Sequence, residues 1–511
     1  MDSYTEVLES KQTIGEGIEH NILEVRPQRN VSGDSFGQGL QDYRFTIGGS
    51  WAWVPNRSYL RVACHLTREN KEDGPSISDN LALADNVVGS LYNNAYFRAG
   101  QQDVSSIVSY LPQASQLKNR ITKSGAWTRS IGKSAFGQDP YFSSRVNTSA
   151  VDGVRNVPRQ TITRVSNTGV ATIAIDVEGV ITIDPQGDTS AGEGIFALQG
   201  GDEIHINNQI YVVKFRGTGA LGANSEVVPR PLDPLGIAAT NVFTIYKAVR
   251  TPQREIQYVC WVPPIGIFDS SKPMGSGDYT LSLNPAAKYK QAAVQSFYAL
   301  TPGVDFNFKV LDVSLFVSLV RVNVPPSMTQ QYEFSEIQIM TKPATSSTNN
   351  QLTFSVPPST YALAVYVQDN VAGSSTVVPP SRFKAADESD ENLENIQITY
   401  SNLSKPATNF TSAFTKDENY LVQRYHDTQA ECGLIFNEGG GETFSEWLER
   451  GGLYFYRFMR DADDRSTHVA VNITHADLAQ NTNIHLCALY RRRVDITTTD
   501  GRVSQVISQS L

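Results

Sequence analysis

The chain has 511 residues, of which 40% are hydrophobic and 19% are charged, and it contains 22 tyrosines and 22 phenylalanines. This composition excludes a disordered chain, which would be poorer in aromatic residues and richer in charge. The formal net charge is −9, so we do not expect direct, sequence-specific binding to nucleic acid, which usually needs a basic face.

Short stretches of alternating apolar and polar residues recur along the chain, and they predict β-strands with one buried face. Most are bounded by glycine, proline, asparagine or serine, which favour turns. In chain order, the alternating apolar positions are Tyr43, Phe45 and Ile47; Leu60, Val62, Cys64 and Leu66; Val313, Leu315 and Val317; Tyr361, Leu363, Val365 and Val367; Ile396, Ile398 and Tyr400; Val469, Val471 and Ile473; and Ile484, Leu486 and Tyr490. The pattern predicts an all-β fold of antiparallel sheets packed face to face.

Helical patterns are few. Residues 104–118 have apolar residues near helical spacing, and Pro112 is expected to kink or split that helix. A second helix is predicted to begin at Thr443, because Thr443 and Glu446 form a capping box and Gly451 supplies a C-terminal stop. Both are expected to be short helices in loops between strands.

A boundary between two sandwiches is predicted at Pro325-Pro326, after the last long strand of the first half. The first half is enlarged by a β-rich region at about 155–250, which we interpret as a module inserted in a loop, where few buried contacts are broken. The predicted units are an N-terminal arm (1–35), a first sandwich (36–324) that contains the insertion, and a second sandwich (325–511).

No motif predicts a catalytic, cofactor or metal site, so the chain is not expected to be an enzyme. The run Gly217–Gly222 matches a dinucleotide-binding pattern, but the prolines that follow it forbid the helix that such a site requires. The four cysteines form no closely spaced pair, which argues against zinc, and Cys64 and Cys487 are predicted to be buried free thiols. His468 and His475 flank a strand, with Asp477 nearby, and are candidate metal ligands; surface or strand-end histidines are the favoured interpretation.

The first 17 residues are polar and acidic, so we expect neither a signal peptide nor a transit peptide. The sequence has no run of about 18 apolar residues, so no transmembrane helix is predicted.

The order of several segments resembles that of a known family. The first third contains QDYRFTIGGSWAWVPNRSYLRVACHLT, LALADNVVGSLYNNAYFRAG and VSSIVSYLPQASQLKNRI, followed later by CWVPPIGIFDSSKPMGSGDYTLSLNP and KVLDVSLFVSLVRVNVPP. The second half contains PPSRFKAADESDENLENIQITYSNL, DENYLVQRYHDT, SEWLERGGLYFYRFMRD and LCALYRRRVDITTTDGRV. In this order, the segments resemble the major capsid proteins of polintons, adintoviruses, virophages and polinton-like viruses.

The resemblance implies two consecutive eight-stranded jelly rolls, a structural role as a major capsid protein and no catalytic residues. It also implies a homotrimer with a pseudo-hexameric outline that tiles an icosahedral shell, with penton and minor capsid proteins as further partners. The protein would be made and assembled inside the host cell and would reside in the virion of a double-stranded DNA virus. Whether an internal membrane lies beneath the shell is left open.

Two other functions stay open at this point. One is a β-sandwich protein that binds carbohydrate or processes glycans, because glycosidase carboxylates lack a reliable sequence pattern. The other is a penton or spike component of a virion. Within the arm, Ile22, Leu23 and Val25 form a short apolar patch, which we predict to be an assembly contact that becomes ordered against a neighbouring subunit, outside the jelly rolls.

Overall fold

A computed structural model of the chain has strands as its main elements, which confirms the all-β fold class. The structure describes residues 19–29, 35–68, 82–136, 160–164, 172–184, 203–207, 209–215, 226–228, 231, 235–240, 243–247, 257–295, 306–322, 327–369, 380–381, 383, 393–407, 418–434, 440–458, 466–475 and 482–510.

The strands are numbered in chain order. Those of the first half are β1 (His20–Val25), β2 (Gln41–Ile47), β3 (Trp51–Trp53), β4 (Tyr59–Arg68), β5 (Ala82–Leu83), β6 (Tyr92–Ala99), β7 (Gln102–Ile107), β8 (Gln160–Arg164), β9 (Thr172–Ile175), β10 (Ile181–Asp184), β11 (Glu203–Ile206), β12 (Gln209–Phe215), β13 (Glu226–Val228), β14 (Ile237–Thr240), β15 (Phe243–Lys247), β16 (Gln257–Trp261), β17 (Gly277–Pro285), β18 (Val294–Gln295) and β19 (Phe306–Arg321). Those of the second half are β20 (Met328–Pro343), β21 (Asn349–Ser355), β22 (Thr360–Asp369), β23 (Leu393–Tyr400), β24 (Leu403–Lys405), β25 (Leu453–Arg457), β26 (His468–His475), β27 (Thr482–Thr499) and β28 (Arg502–Ser510).

The sandwich of the first half is built from two main sheets; in addition, β3 pairs with β19, and β5 and β18 form a separate two-stranded sheet. Sheet I has the order β1-β19-β4-β16, and sheet II has the order β2-β17-β6-β7. When these eight strands are counted along the chain, sheet I joins the first, eighth, third and sixth, and sheet II joins the second, seventh, fourth and fifth. The eight strands therefore pair as one long folded hairpin wrapped into a sandwich, which is the jelly-roll topology.

The second half repeats this topology. Sheet III has the order β20-β27-β22-β25, with β28 added beside β27, and sheet IV has the order β21-β26-β23-β24. Counted along the chain, the pairing is again first with eighth, second with seventh, third with sixth and fourth with fifth. The chain thus contains two jelly rolls in succession, as the resemblance implied.

Each jelly roll is held by apolar side chains that alternate along its strands. In β2, the buried residues include Tyr43, Phe45 and Ile47, as the sequence pattern predicts. Trp53 is fully buried at the centre of the first sandwich, and its ring centroid lies 5.0 Å from that of Phe97. Burying an aromatic side chain of this size stabilises a fold by a few kcal/mol, so this aromatic cluster is a main source of stability for the first jelly roll.

The region from β8 to β15 forms two small sheets of its own, ordered β10-β9-β14 and β13-β12-β11-β15-β8. Its nine-residue apolar core includes Ile173, Ile204 and Val213 and is a cluster separate from those of the jelly rolls. This arrangement is consistent with an inserted module, although the exact division of the chain into domains stays a prediction. Residues 323–326, with the predicted boundary at Pro325-Pro326, lie outside the described residues.

The prediction that residues 1–35 stand apart from the jelly roll is wrong for β1. This strand pairs along its whole length with β19 and forms the edge of sheet I. Five of its six residues are exposed, so the sequence pattern contains little hydrophobic signal. The backbone ladder to β19 and the burial of Val25 order the strand instead. Residues 1–18 lie outside the described residues.

The helices are α1 (Val87–Ser90), α2 (Leu111–Thr122), α3 (Gly125–Trp127), α4 (Lys133–Phe136), α5 (Tyr289–Ala292), α6 (Glu418–Cys432) and α7 (Phe444–Glu449), with 3-10 turns at Pro55–Arg57 and Gly266–Asp269 and a π-helical turn at Thr128–Gly132. The helix predicted over 104–118 is wrong in its first part, because residues up to Ile107 belong to strand β7. Pro112 does not kink α2, because it lies in the first turn, where no helical partner for its N–H is needed.

The predicted capping box at the start of α7 is confirmed. The backbone N–H of Thr443 donates to Oε2 of Glu446 at 2.6 Å, and the N–H of Glu446 donates to Oγ1 of Thr443 at 3.2 Å.

Cys64 and Cys487 are buried free thiols, as predicted. Among the described residues, no helix has the length and apolar character needed to cross a membrane.

Candidate assembly framework at the junction of the two jelly rolls

The two jelly rolls meet along a buried junction, which we define as the contacts between sheet III and the first sandwich. One apolar cluster continues across it: Phe97 and Phe268 of the first jelly roll belong to the same cluster as Phe334, Tyr366 and Leu489 of the second. Sheet III also faces a second apolar cluster within its own sandwich, which includes Leu363 and Leu486. Sheet III is therefore buried on both faces, and the two sandwiches share one of their cores.

Helix α2 of the first jelly roll carries a buried cation into the junction. The side chain of Arg120 is 0% exposed and lies 2.8 Å from the carboxylate of Glu442, which lies two residues before the start of α7 in the second jelly roll. Arg120 also donates to the backbone carbonyl of Gly451 at 2.8 Å. Burial lowers the pKa of Arg120, and the charge of Glu442 opposes that effect. The pair is charge-assisted and bidentate, which fixes geometry as well as contributing energy.

Arg450 extends this pair into a cluster of four charges that crosses the junction twice. Its guanidinium lies 2.9 Å from Asp85 of the first jelly roll and 3.3 Å from Glu442 of the second. Burial alone would lower the pKa of Arg450, but Asp85 and the other nearby carboxylates outweigh it and raise the pKa. Asp85 also accepts a hydrogen bond from Gln116 of α2 at 2.8 Å. We call Asp85, Arg120, Glu442 and Arg450 the junction charge cluster.

A second buried carboxylate lies on β20. Glu336 is 1% exposed, and its Oε1 accepts a 2.6 Å hydrogen bond from Ser105 of β7, in the first jelly roll. Its other oxygen accepts from Tyr490 at 2.8 Å and from Arg492 at 2.9 Å. A buried charge is tolerated only when it is paired and hydrogen-bonded, and Glu336 meets that condition with groups from both sandwiches.

A different surface with the composition of a protein interface lies on the solvent-facing side of sheet I. Tyr59 and Phe316 stack with their ring centroids 5.2 Å apart, and the Arg61 guanidinium lies 4.6 Å from the Phe316 centroid. Tyr258 is 59% exposed beside them, 5.8 Å from the same guanidinium. Tyrosine, phenylalanine and arginine are enriched at protein interfaces.

The three residues predicted as an assembly contact are not equivalent. Ile22 is 59% exposed and Leu23 is 38% exposed, whereas Val25 is 8% exposed and belongs to the core of the first jelly roll. Ile22 is the register partner of Ser318 and Val25 that of Leu315 on β19. Ile22 and Leu23 are therefore accessible to a neighbouring subunit, and Val25 is not. The assembly contact itself stays a prediction.

The histidines considered as metal ligands are separated. His468 is exposed at the start of β26, and His475 is buried at its end. No group of three or more potential metal ligands occurs among the described residues. The glycine-rich run Gly217–Gly222 lies outside the described residues.

The sequence analysis did not identify the junction. Arg120 and Glu442 are 322 positions apart, and nothing in either local pattern links them. The available signal was that an arginine and two glutamines interrupt the apolar face of α2, which is unusual for a helix that covers only a core.

Two consecutive jelly rolls joined by a shared core define a double jelly-roll protein. No protein-family model and no curated protein sequence matches the chain. Among solved structures, it is similar to the major capsid protein of mavirus, with 11% identity, coverage of 96% of this chain and 90% of that chain, and a TM-score of 0.47. It is similar to the Sputnik virophage structure determined by cryo-EM, with 13% identity, coverage of 97% and 89%, and a TM-score of 0.45. It is also similar to the Faustovirus major capsid protein, with 9% identity, coverage of 94% and 91%, and a TM-score of 0.40.

Proposed function

We propose that the protein is a non-enzymatic major capsid protein of a double-stranded DNA virus. The observation that carries the proposal is the repeated strand order, which places two jelly rolls one after the other in a single chain. The jelly roll is an architecture that recurs in viral capsids and also in lectins and cupins. The resemblance of the ordered sequence segments to major capsid proteins favours the first of these.

The junction supports this role because it joins the two sandwiches into one rigid subunit. A subunit that tiles a shell must hold its interfaces at fixed angles, and a hinged pair of domains would not do so. The shared apolar core and the junction charge cluster oppose hinge motion. Three such subunits would supply six sandwiches, which suits a trimer with a pseudo-hexagonal outline and closed cyclic symmetry.

The proposed partners are two further copies within a trimer, neighbouring trimers, and the penton and minor capsid proteins of the same virion. The proposed location is the virion shell, after synthesis and assembly inside the host cell. The inserted module, at about residues 155–250, is proposed to lie on the outer surface of the shell, because added modules survive best where a chain already loops into solvent.

The test is to purify the full chain and measure its mass by light scattering, then image it by negative-stain electron microscopy. We expect three chains per particle and a hexagonal outline, with larger shells or sheets at high protein concentration. A stable monomer at micromolar concentration would contradict the trimer. Pentamers would favour a penton, and specific retention on immobilised glycans by a monomer would favour a carbohydrate-binding protein.

A further inference from the structure

His485 occupies an unusual position in the junction. It lies on β27 and is 2% exposed. Its register partners are Thr341 on β20 and Tyr366 on β22, so the three side chains form a row across sheet III. Tyr366 belongs to the apolar cluster shared with the first jelly roll. The imidazole is therefore held where the two sandwiches meet.

Aromatic rings from both jelly rolls enclose the imidazole. The Tyr366 ring stacks on it, with a centroid distance of 4.7 Å and an interplanar angle of 8°. Tyr110, which directly precedes α2 in the first jelly roll, meets it edge-on at 5.5 Å and 80°. The docking of the first jelly roll thus excludes water from the ring, and separation of the sandwiches would expose it.

Only one nitrogen of the ring has a hydrogen-bond partner in the described part of the chain. Nδ1 lies 2.8 Å from the hydroxyl of Thr341, and Nε2 is buried without a partner. A neutral imidazole needs one donor and one acceptor, whereas the protonated ring has two donors. Protonation of the docked ring would therefore leave a charged N–H group buried with no acceptor, which is costly.

The surrounding groups do not offset that cost. Among the described residues, the titratable groups that contact the ring are Tyr110 and Tyr366, and Cys487 lies two residues further along β27. Arg120, a cation of the junction charge cluster, lies over Phe383 at 5.4 Å from its centroid, and Phe383 stacks on Tyr366. Burial is accordingly the cause that lowers the pKa of His485, to about 4.

We propose that the junction between the two jelly rolls is a proton-sensitive contact that loosens in mildly acidic surroundings, because His485 accepts a proton more readily when the contact opens. The proposal concerns a contact within one chain and does not depend on the capsid role. The only ligand that the open form has to bind is a proton.

The direction of the effect follows from linkage. The pKa of His485 is near 6.5 when the ring is exposed and about 4 when it is docked, so the open form binds more protons between these values. The contribution of His485 to docking is complete above pH 6.5 and falls as the pH decreases towards 4. Each unit of pH in that range changes the ratio of docked to open forms by about tenfold in favour of the open form.

The test compares the full-length protein with the His485→Asn variant by amide hydrogen exchange of α2, corrected for intrinsic exchange, from pH 7.5 to 4. Asparagine can retain a hydrogen bond to Thr341 but does not titrate in this range. We expect the wild-type protein to lose protection by about tenfold per unit below pH 6.5 and the variant to lose clearly less. The matched control is His468→Asn, which removes an exposed histidine of the same jelly roll and should behave as wild type.

Equal pH dependence of His485→Asn and the wild-type protein would overturn the proposal. If His485→Asn does not fold at pH 7.5, the wild-type protein still decides the matter through NMR of its 7 histidines labelled at Cε1. The His485 resonance is assigned by its shift in the Tyr110→Leu variant. Titration below pH 5 is expected, and titration near pH 6.5 in the docked protein would overturn the proposal.

Discussion

Arg120 and Glu442 join the two jelly rolls through a buried bidentate ion pair, in which Nη2 and Nε of the arginine both donate to Oε1, at 2.8 and 3.0 Å, and Nε also contacts Oε2 at 3.2 Å. Arg450 donates to the same carboxylate at 3.3 Å. Donors from both sandwiches therefore surround the carboxylate of Glu442, and the directional contact from Arg120 adds angular constraint to the shared apolar core.

Removing the arginine should destabilise the protein strongly. In Arg120→Ala, Glu442 loses its main partner while it stays buried, and such a change typically costs about 3–5 kcal/mol. Urea unfolding should show a correspondingly lower free energy of unfolding. The matched control is Arg98→Ala, which breaks an ion pair of the same length, 2.8 Å, with Asp103 on exposed surface. Exposed pairs contribute at most about 1 kcal/mol, so equal losses in the two variants would contradict this account.

The close approach of the two sandwiches also depends on a glycine. A methyl group built at Gly266 would lie 2.3 Å from Cδ2 of Phe334 and 2.6 Å from the carbonyl oxygen of Ser335, whereas one built at Gly48 meets nothing within 4 Å. Because a backbone oxygen cannot rotate away, Gly266→Ala should force the 3-10 turn off sheet III and cost about 1–3 kcal/mol or more. Gly48→Ala should change the free energy of unfolding by less than about 0.5 kcal/mol. Comparable stability of the two variants in thermal unfolding would show that the junction is not tightly packed there.

The inserted module should be removable. Its apolar core, which includes Ile173 and Phe243, is separate from the cores of the jelly rolls, so deletion should not open a cavity in either of them. Replacing residues 155–250 by a short glycine-serine linker should leave the oligomeric mass and the unfolding transition of the jelly rolls nearly unchanged. Insoluble protein after the deletion would mean that the module contributes to the sandwich or to a subunit contact. Deleting β28, which packs Val503 against Gly100 and Gly277 of the first jelly roll, is a control that should destabilise the protein.

The sequence predicted those strands that alternate between a core and solvent, because burial on one face leaves a period of two. Tyr43, Phe45 and Ile47 illustrate this. It did not predict β1, because an edge strand ordered by backbone hydrogen bonds can keep Ile22 and Leu23 exposed.

The junction could not be predicted for a related reason. Its specificity lies in polar pairs such as Ser105 with Glu336, which are 231 positions apart. Local patterns record whether a residue is buried, but they do not record which distant residue it faces. The position of His485 between Tyr110 and Tyr366 likewise depends on how two complete sandwiches dock.

The pair Ile22 and Val25 separates assembly from folding on a single strand. Ile22 is 59% exposed and Val25 is 8% exposed, although both belong to β1 and were predicted from one apolar patch. If the exposed end of β1 contacts a neighbouring subunit, Ile22→Asn should leave the free energy of unfolding within about 0.5 kcal/mol of wild type. It should nevertheless raise the protein concentration needed for shell formation.

Val25→Asn is the matched variant, because it introduces the same side chain on the same strand but into the core. It should destabilise the fold by about 1–3 kcal/mol, since a polar amide would be buried beside Leu315 in an apolar core that offers it no hydrogen bond. Chemical unfolding and light scattering of assembly should be measured on both variants. Assembly of Ile22→Asn at the wild-type concentration would show that β1 serves only as the edge of sheet I. The subunit contact would then have to lie elsewhere, and the surface formed by Tyr59, Arg61 and Tyr258 would be the next region to mutate.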